Sequence, residues 1–163
     1  RAADMGWLDH DRLGFNYRMS ELQAALGVAQ LGRLDQMLAD RAQVAGWYRE
    51  ALADLAAESG LELPCQDRGE EKRGWFVFVV QVPKGVDRDG VINGLRAVNI
   101  DCKPYLPPIH LFSFYRDLGY REGMFPVCED IGARSLALPF FPAMTQSQVA
   151  RVAEQLRVLV LGT

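Results

Sequence analysis

The sequence predicts an α+β fold: a small, mostly antiparallel sheet with helices packed on one face. Three features lead there. Capped helical patterns stand toward both ends, at Ser20-Glu21-Leu22-Gln23 and at Thr145-Gln146-Ser147-Gln148. A β-branched and aromatic run, Trp75 to Val82, lies between them, and no β-α-β repeat with a glycine-rich first turn is present, which leaves a dinucleotide fold without footing. With 163 residues, 49% of them hydrophobic and 24% charged, the chain suits one compact domain that buries about 70% of its unfolded surface.

Residues 1–19 read as a linker ending in the Asn16-Tyr17-Arg18 loop, and 20–163 as the folded domain with its long connecting helix. The start at Arg1 and the mixed composition of the first dozen residues suit a piece cut from a larger structure. The first helix begins after Ser20, whose hydroxyl can accept from the amide three residues on while Gln23 reaches back; Leu22, Ala25, Leu26 and Ala29 then recur at helical spacing. Gly27 and Gly32 each lower helix propensity by roughly 1 kcal/mol against Ala, so a break is expected near Gly32. A second, long helix carries Leu34, Met37, Leu38, Ala45, Tyr48, Leu52 and Leu55 toward a sheet, and Arg41, which interrupts that stripe, must snorkel or pair.

A weak strand at Leu61 to Pro64 precedes Trp75 to Val82, which is bounded by Gly74 and Pro83-Lys84-Gly85 and is expected to be the central strand. Asp87 caps a short helix facing inward with Val91, Leu95 and Val98, and Asn99 ends it in a left-handed turn before Ile100 to Lys103 extends. Pro104, Pro107 and Pro108 keep the next segment out of helix and ladder, which makes Tyr105 to His110 an irregular, well-fixed loop. Short helical turns are expected at Phe114 to Leu118 and at Asp130 to Leu136, with an edge piece of sheet at Leu138 to Pro142. After Thr145 a last helix sets Val149, Val152, Ala153, Leu156 and Leu159 on one face.

Composition excludes several classes of function. Eighteen Lys and Arg against 21 Asp and Glu give a formal charge of -3, and no basic stripe interleaves with aromatics, so nucleic acid is not an expected partner. No apolar run approaches the ~20 residues needed to cross a bilayer, and Arg1-Ala2-Ala3-Asp4 lacks the form of a signal peptide, so no membrane partner is expected either. Cys65, Cys102 and Cys128 stand far apart without a C-x-x-C pair, which argues against a disulfide framework and a structural zinc site and for a reducing, cytoplasmic setting. The acidic residues show no metal-ligand spacing, so no metal is expected.

The residues that could carry chemistry are few. Lys72 and Lys84 lie in a charge run and a turn, the contexts of solvated amines, and Lys103 stands beside Pro104; a lysine nucleophile needs a desolvated pocket or a cationic neighbour. His110 ends a proline-stiffened stretch, which suits either a site histidine held in one place or a loop histidine bonded to backbone. Asn16-Tyr17-Arg18 sets an amide, a phenol and a guanidinium just ahead of a helix N-terminus, where free amides and the macrodipole favour a phosphate or carboxylate. The same three residues equally suit a turn amide, a buried ring and a surface ion-pair partner. Physics alone stops at an anion-binding α+β domain.

The run Gly14-Phe15-Asn16-Tyr17-Arg18-Met19-Ser20-Glu21-Leu22-Gln23-Ala24-Ala25-Leu26-Gly27, followed by Ala29-Gln30-Leu31 and Arg33-Leu34-Asp35, resembles the DegT/DnrJ/EryC1/StrS family of pyridoxal-phosphate sugar aminotransferases. The likeness continues through Arg41, Tyr48-Arg49, Pro108-Ile109-His110-Leu111, Phe114-Tyr115 and Leu136-Ala137-Leu138-Pro139 into the helix after Thr145. It implies the carboxy-terminal part of a fold type I transferase that works as a homodimer with active sites across the subunit interface. By the same resemblance Asn16 reaches the phosphate of pyridoxal 5'-phosphate in the neighbouring subunit, Arg18 lies near the cofactor or the substrate's phosphate, and Tyr17 and His110 approach the nucleotide-sugar.

The family's Schiff-base lysine, and the aspartate that pairs with the pyridinium nitrogen, belong to an upstream motif that Lys72, Lys84 and Lys103 do not occupy. The resemblance therefore implies a parent enzyme that transfers an amino group from L-glutamate to a nucleotide-linked keto-sugar, and an isolated chain that is inactive. A non-catalytic binding or regulatory domain on the same scaffold, and a cyclitol aminotransferase of the same family, are the alternatives. Incubating the 163-residue chain with pyridoxal phosphate and borohydride should yield no stoichiometric label on any one lysine, as read by peptide mass spectrometry; a single fully labelled lysine would contradict this.

Overall fold

The computed structural model describes Phe15 and residues 17–162, which fall into two compact units, Arg1–Leu34 and Asp35–Thr163. In the first unit, helix α1 spans Glu21–Leu31. Its capping box forms as the sequence implies: the Gln23 amide donates to the Ser20 hydroxyl at 3.3 Å, and the Ser20 amide donates to the Gln23 side chain at 2.9 Å. None of its side chains is buried. The chain turns at Gly32 and Arg33 and enters α2, Leu34–Ser59.

In the second unit, α2 buries Val44, Ala45, Tyr48, Leu52 and Leu55, a stripe at i, i+1, i+4, i+8 and i+11 that lies along one side of a 3.6-residue helix. Three short strands form an open antiparallel sheet in the order β1, β3, β2: β1 is Phe78–Gln81, β2 is Lys103–Pro104 and β3 is Ser135–Leu138. The register sets Phe78 opposite Leu138 and Val80 opposite Leu136. These four side chains point to one face, where they are at most 4% exposed, and join residues of α2, of α3 (Arg88–Ala97) and of α6 (Gln146–Leu161) in the core. The Tyr48 ring stacks on Phe78 at 4.8 Å, and its hydroxyl donates to the Pro139 carbonyl at 2.7 Å. Burial pushes that phenol's pKa well up.

Several sequence expectations hold at the level of single residues. Asp87 caps α3, its carboxylate accepting from the Asp89 amide, and Asn99 adopts φ +60° past the helix end. Thr145 and Gln148 form the second capping box, and Val149, Val152, Ala153 and Leu156 are buried on α6. Arg41 pairs: its guanidinium donates to the Trp75 carbonyl at 2.8 Å and lies 5.9 Å over the Phe140 ring.

The strand assignments need correction. The central strand is β3, and β1 runs beside it, with a single antiparallel bridge from Gln81 to Glu62 in place of a strand at 61–64. Trp75 to Val77 leave the ladder because Trp75 takes φ +43° and folds its ring back onto Phe78 and Phe140, at 5.8 and 6.4 Å. The turn expected at Asp130 to Leu136 is instead α5, Pro126–Arg134, followed at once by β3. Pro126 stands in its first turn, where a missing N–H costs nothing. Beyond Leu138 the piece expected at 138–142 is not strand. Pro104 does join the ladder, opposite Leu136, which an edge strand permits because only one side of it is paired.

Arg134 ties these parts together. Its guanidinium donates to Asp130, to Glu62 at 2.9 Å and to the Val82 carbonyl at 3.0 Å; the Arg134 bond holds the Asp130 carboxyl below its ordinary pKa. Among the described residues no helix is long and apolar enough to cross a membrane, and no group of His, Cys, Asp or Glu could hold a metal ion.

Two glycines in helices test the packing. A Cβ on Gly132 of α5 would stand 2.9 Å from the Pro108 ring and 3.2 Å from the Leu106 carbonyl, whereas one on Gly46 of α2 would meet nothing within 4 Å. Gly132→Ala should lower stability by about 1–3 kcal/mol through overpacking, and Gly46→Ala should raise it by about 0.5–1 kcal/mol through helix propensity. Thermal denaturation of the two variants should move in opposite directions.

Candidate binding site

Pro104, Pro107 and Pro108 give the chain after β2 an irregular path that ends in a single 3-10 turn, Ile109–Leu111. His110 in that turn is 8% exposed. Its Nε2 lies 2.8 Å from Oε1 of Glu129, and its ring meets the Phe125 ring edge-on at 4.9 Å. Of the two readings open to His110, the loop histidine bonded to backbone gives way to a histidine bonded to a carboxylate.

Glu129 stands in the first turn of α5. Its carboxylate accepts from the Gly123 amide at 3.0 and 2.9 Å and from the Phe125 amide at 3.2 Å. These bonds, that of Gly123 first and then those of His110 and Phe125, hold the Glu129 carboxyl below the ordinary carboxylate pKa. One side chain thus joins the 3-10 turn, the Gly119–Phe125 segment and the start of α5. None of the sequence patterns pointed to it, although Pro126 three residues earlier marks a helix start where an acidic residue is favoured.

Beside this clamp lies a cavity of about 730 Å³ whose walls include Leu106, Pro107, Ile109, Met124, Phe125 and Ile131. Gly132 closes its end against Pro108, in the close approach already described. A second, shallower cavity of about 450 Å³ covers the outward face of the sheet, between Val77, Val79, Tyr105 and Ile131.

Two arginines of the second unit are turned to structural use around Trp75. Arg49 and Arg73 lie over the Trp75 ring at 5.3 and 4.8 Å, and both donate to the Cys65 carbonyl at 2.8 Å. Arg73 also pairs with Asp67 at 3.2 Å. Lys72, Lys84 and Lys103 are all exposed, so none has the desolvated setting that turns a lysine into a nucleophile.

Of the residues expected to grip an anion, Tyr17 and Arg18 are exposed ahead of α1, with the Tyr17 ring 5.6 Å from that of Phe15. Asn16 lies outside the described residues. These residues belong to the first unit and His110 to the second.

Comparison with known proteins agrees along nearly the whole chain. The profile of the DegT/DnrJ/EryC1/StrS aminotransferase family matches residues 2–157. The spore coat polysaccharide biosynthesis protein SpsC of Bacillus subtilis is 36% identical over 155 residues, which cover 91% of this chain and 39% of that protein. The dTDP-3-amino-3,4,6-trideoxy-alpha-D-glucose transaminase of Micromonospora megalomicea subsp. nigra is 35% identical over 154 residues, again 91% of this chain and 39% of that one. Among solved structures, S. venezuelae DesV in complex with a ketimine intermediate superposes with a TM-score of 0.76 at 31% identity, covering 91% of this chain and 38% of that one. The chain spans about two fifths of the length of the curated relatives it matches, and the α+β layer of three strands and their helices is a portion of their fold. By that match over residues 2–157, the chain belongs to the DegT/DnrJ/EryC1/StrS aminotransferase family.

Proposed function

We propose that the chain is the carboxy-terminal portion of a pyridoxal-phosphate-dependent enzyme that moves an amino group from L-glutamate onto a nucleotide-linked keto-sugar. The observation that carries this reading is the 35% identity, over 91% of the chain, to a transaminase named for a dTDP-linked amino sugar. In such an enzyme the cofactor carries the amino group between half-reactions and acts as the electron sink.

The donor set fits a phosphate. Arg18 offers a forked guanidinium and Asn16 a primary amide, and exposure of the segment ahead of α1 leaves Arg18 and Tyr17 at the surface, where an anion can reach them. Asn16 and Arg18 hold the cofactor's phosphate in this reading, Arg18 and Tyr17 meet the substrate, and His110 meets its sugar part. Leu22, Leu26, Val28 and Leu31, all exposed on α1, favour a homodimer in which these groups serve the neighbouring subunit. With its three lysines exposed, this portion alone has no residue to carry the cofactor covalently and is inactive by itself. Charge and cysteine usage favour the cytoplasm as its place of work.

The test uses the full-length protein that carries this segment. Asn16→Ala and Arg18→Ala should each weaken pyridoxal phosphate binding by about 10- to 100-fold, the usual loss for a hydrogen bond to a charged group, as followed by cofactor absorbance. Transfer from glutamate to a dTDP- or GDP-linked keto-sugar should fall with it. Unchanged affinity and rate in both variants would remove the proposed roles, and a wild-type protein that aminates no nucleotide-sugar would remove the function itself.

A further inference from the structure

We propose that Glu129 is a positioning residue: it accepts the Nε2 proton of His110 and so leaves Nδ1 as the ring's outward acceptor for a neutral hydrogen-bond donor, such as a sugar hydroxyl. This rests on the reading that His110 meets substrate, and it adds which atom does so and what kind of group that atom selects.

The argument begins with the carboxylate. Glu129 accepts two backbone N–H groups, from Gly123 and Phe125, in addition to the His110 contact at 2.8 Å. A carboxylate held by amide donors is the ionised, acceptor-only form, so the proton in the bond to His110 belongs to the imidazole. A neutral imidazole with its proton on Nε2 has a lone pair on Nδ1 and can only accept there.

The second step concerns Nδ1 itself. Among the described residues no side chain or backbone group bonds to it, since the ring's hydrogen bond is the one to Glu129. A side-chain polar atom sealed from solvent without a partner is costly, and among the described residues the one such atom is Oε1 of Gln81. Nδ1 is therefore not sealed, although the histidine as a whole is 8% exposed. The Phe125 edge at 4.9 Å and the proline-fixed backbone of the 3-10 turn keep the ring from turning over.

An acceptor so placed discriminates. An ionised phosphate or carboxylate has no proton to give to Nδ1, whereas a hydroxyl has one. The part of a nucleotide-sugar that His110 fits is thus its hydroxylated ring and not its diphosphate.

Two measurements on the full-length protein decide the matter. In 15N-histidine-labelled protein at mildly alkaline pH, with the His110→Gln spectrum as assignment, the His110 ring should hold its proton on Nε2 in slow exchange with water. Glu129→Gln, whose amide oxygen can still accept, should keep that signature, and Glu129→Ala should lose it. In steady-state kinetics, Glu129→Ala should lower kcat/KM for the nucleotide keto-sugar by about tenfold, mainly through KM, as expected for one misplaced hydrogen bond. Glu129→Gln should restore part of the loss, and in a His110→Gln background the Glu129→Ala change should have no further effect.

A proton found on Nδ1 in the wild type overturns the proposal, as do strictly additive losses in the double variant, which would make Glu129 merely structural. Should Glu129→Ala fail to fold, the wild-type and Glu129→Gln spectra decide. A protein that transfers no amino group to any nucleotide-sugar overturns the functional reading, and the ring spectra then judge the positioning role alone.

Discussion

Three groups, the His110 ring and the Gly123 and Phe125 amides, converge on the Glu129 carboxylate, which links distant parts of the chain between β2 and β3. That stretch holds a 3-10 turn, the five-residue helix α4 at Ser113–Asp117 and the nine-residue α5. Helices this short are marginal on their own and depend on tertiary contacts, yet Phe114, Leu118 and Val127 are 66, 63 and 72% exposed. The Glu129 carboxylate adds bonds of the charge-assisted kind, about twice as strong as neutral ones, at the start of α5. It joins His110 on one side of the excursion to Gly123 and Phe125 on the other, and the Gly132 approach to Pro108 seats the loop on the same helix.

The core behind the sheet follows a different logic, in which one aromatic ring decides where a strand may begin. Trp75 takes a left-handed backbone so that its indole packs on Phe78 and Phe140. A tryptophan held there leaves its carbonyl and its ring face in need of partners. Arg41 meets the carbonyl, and Arg49 and Arg73 cover the ring. Three arginines, two from α2 and one from the loop before Trp75, are thus committed around one tryptophan, Arg41 through its carbonyl and Arg49 and Arg73 through cation–π contacts with its ring.

What the sequence discloses and what it conceals follow from the range of the interactions involved. The capping boxes at Ser20 and Thr145, the cap at Asp87 and the left-handed Asn99 are decided within three or four residues, and all appear where local patterns place them. The α2 stripe through Tyr48, Leu52 and Leu55 is equally visible, since a 3.6-residue period needs no distant partner. The identity of the central strand is not local. Ser135-Leu136-Ala137-Leu138 is shorter and less β-branched than Trp75 to Val82, but it pairs on both edges because β2 and β1 flank it. Likewise the rigidity of the His110 loop could be read from its prolines, while Glu129, 19 residues away, could not be tied to it until the fold brought them to 2.8 Å.

The two units, each taken by itself, carry different hydrogen-bonding chemistry. Arg18, with Asn16 beside it in sequence, is a donor without an acceptor function of its own, the complement of a phosphate. His110 lies 2.8 Å from Glu129 through Nε2, and under the proposal above its Nδ1 is the acceptor that a hydroxyl meets. The walls of the 730 Å³ cavity, Leu106, Ile109, Met124 and Phe125 among them, are apolar, and Arg49 and Arg73 of the same unit are held over the Trp75 ring. A nucleotide-sugar carries its charge in the diphosphate and its hydroxyl donors on the sugar ring, so under the proposal above the two kinds of side chain recognise chemically different parts of it.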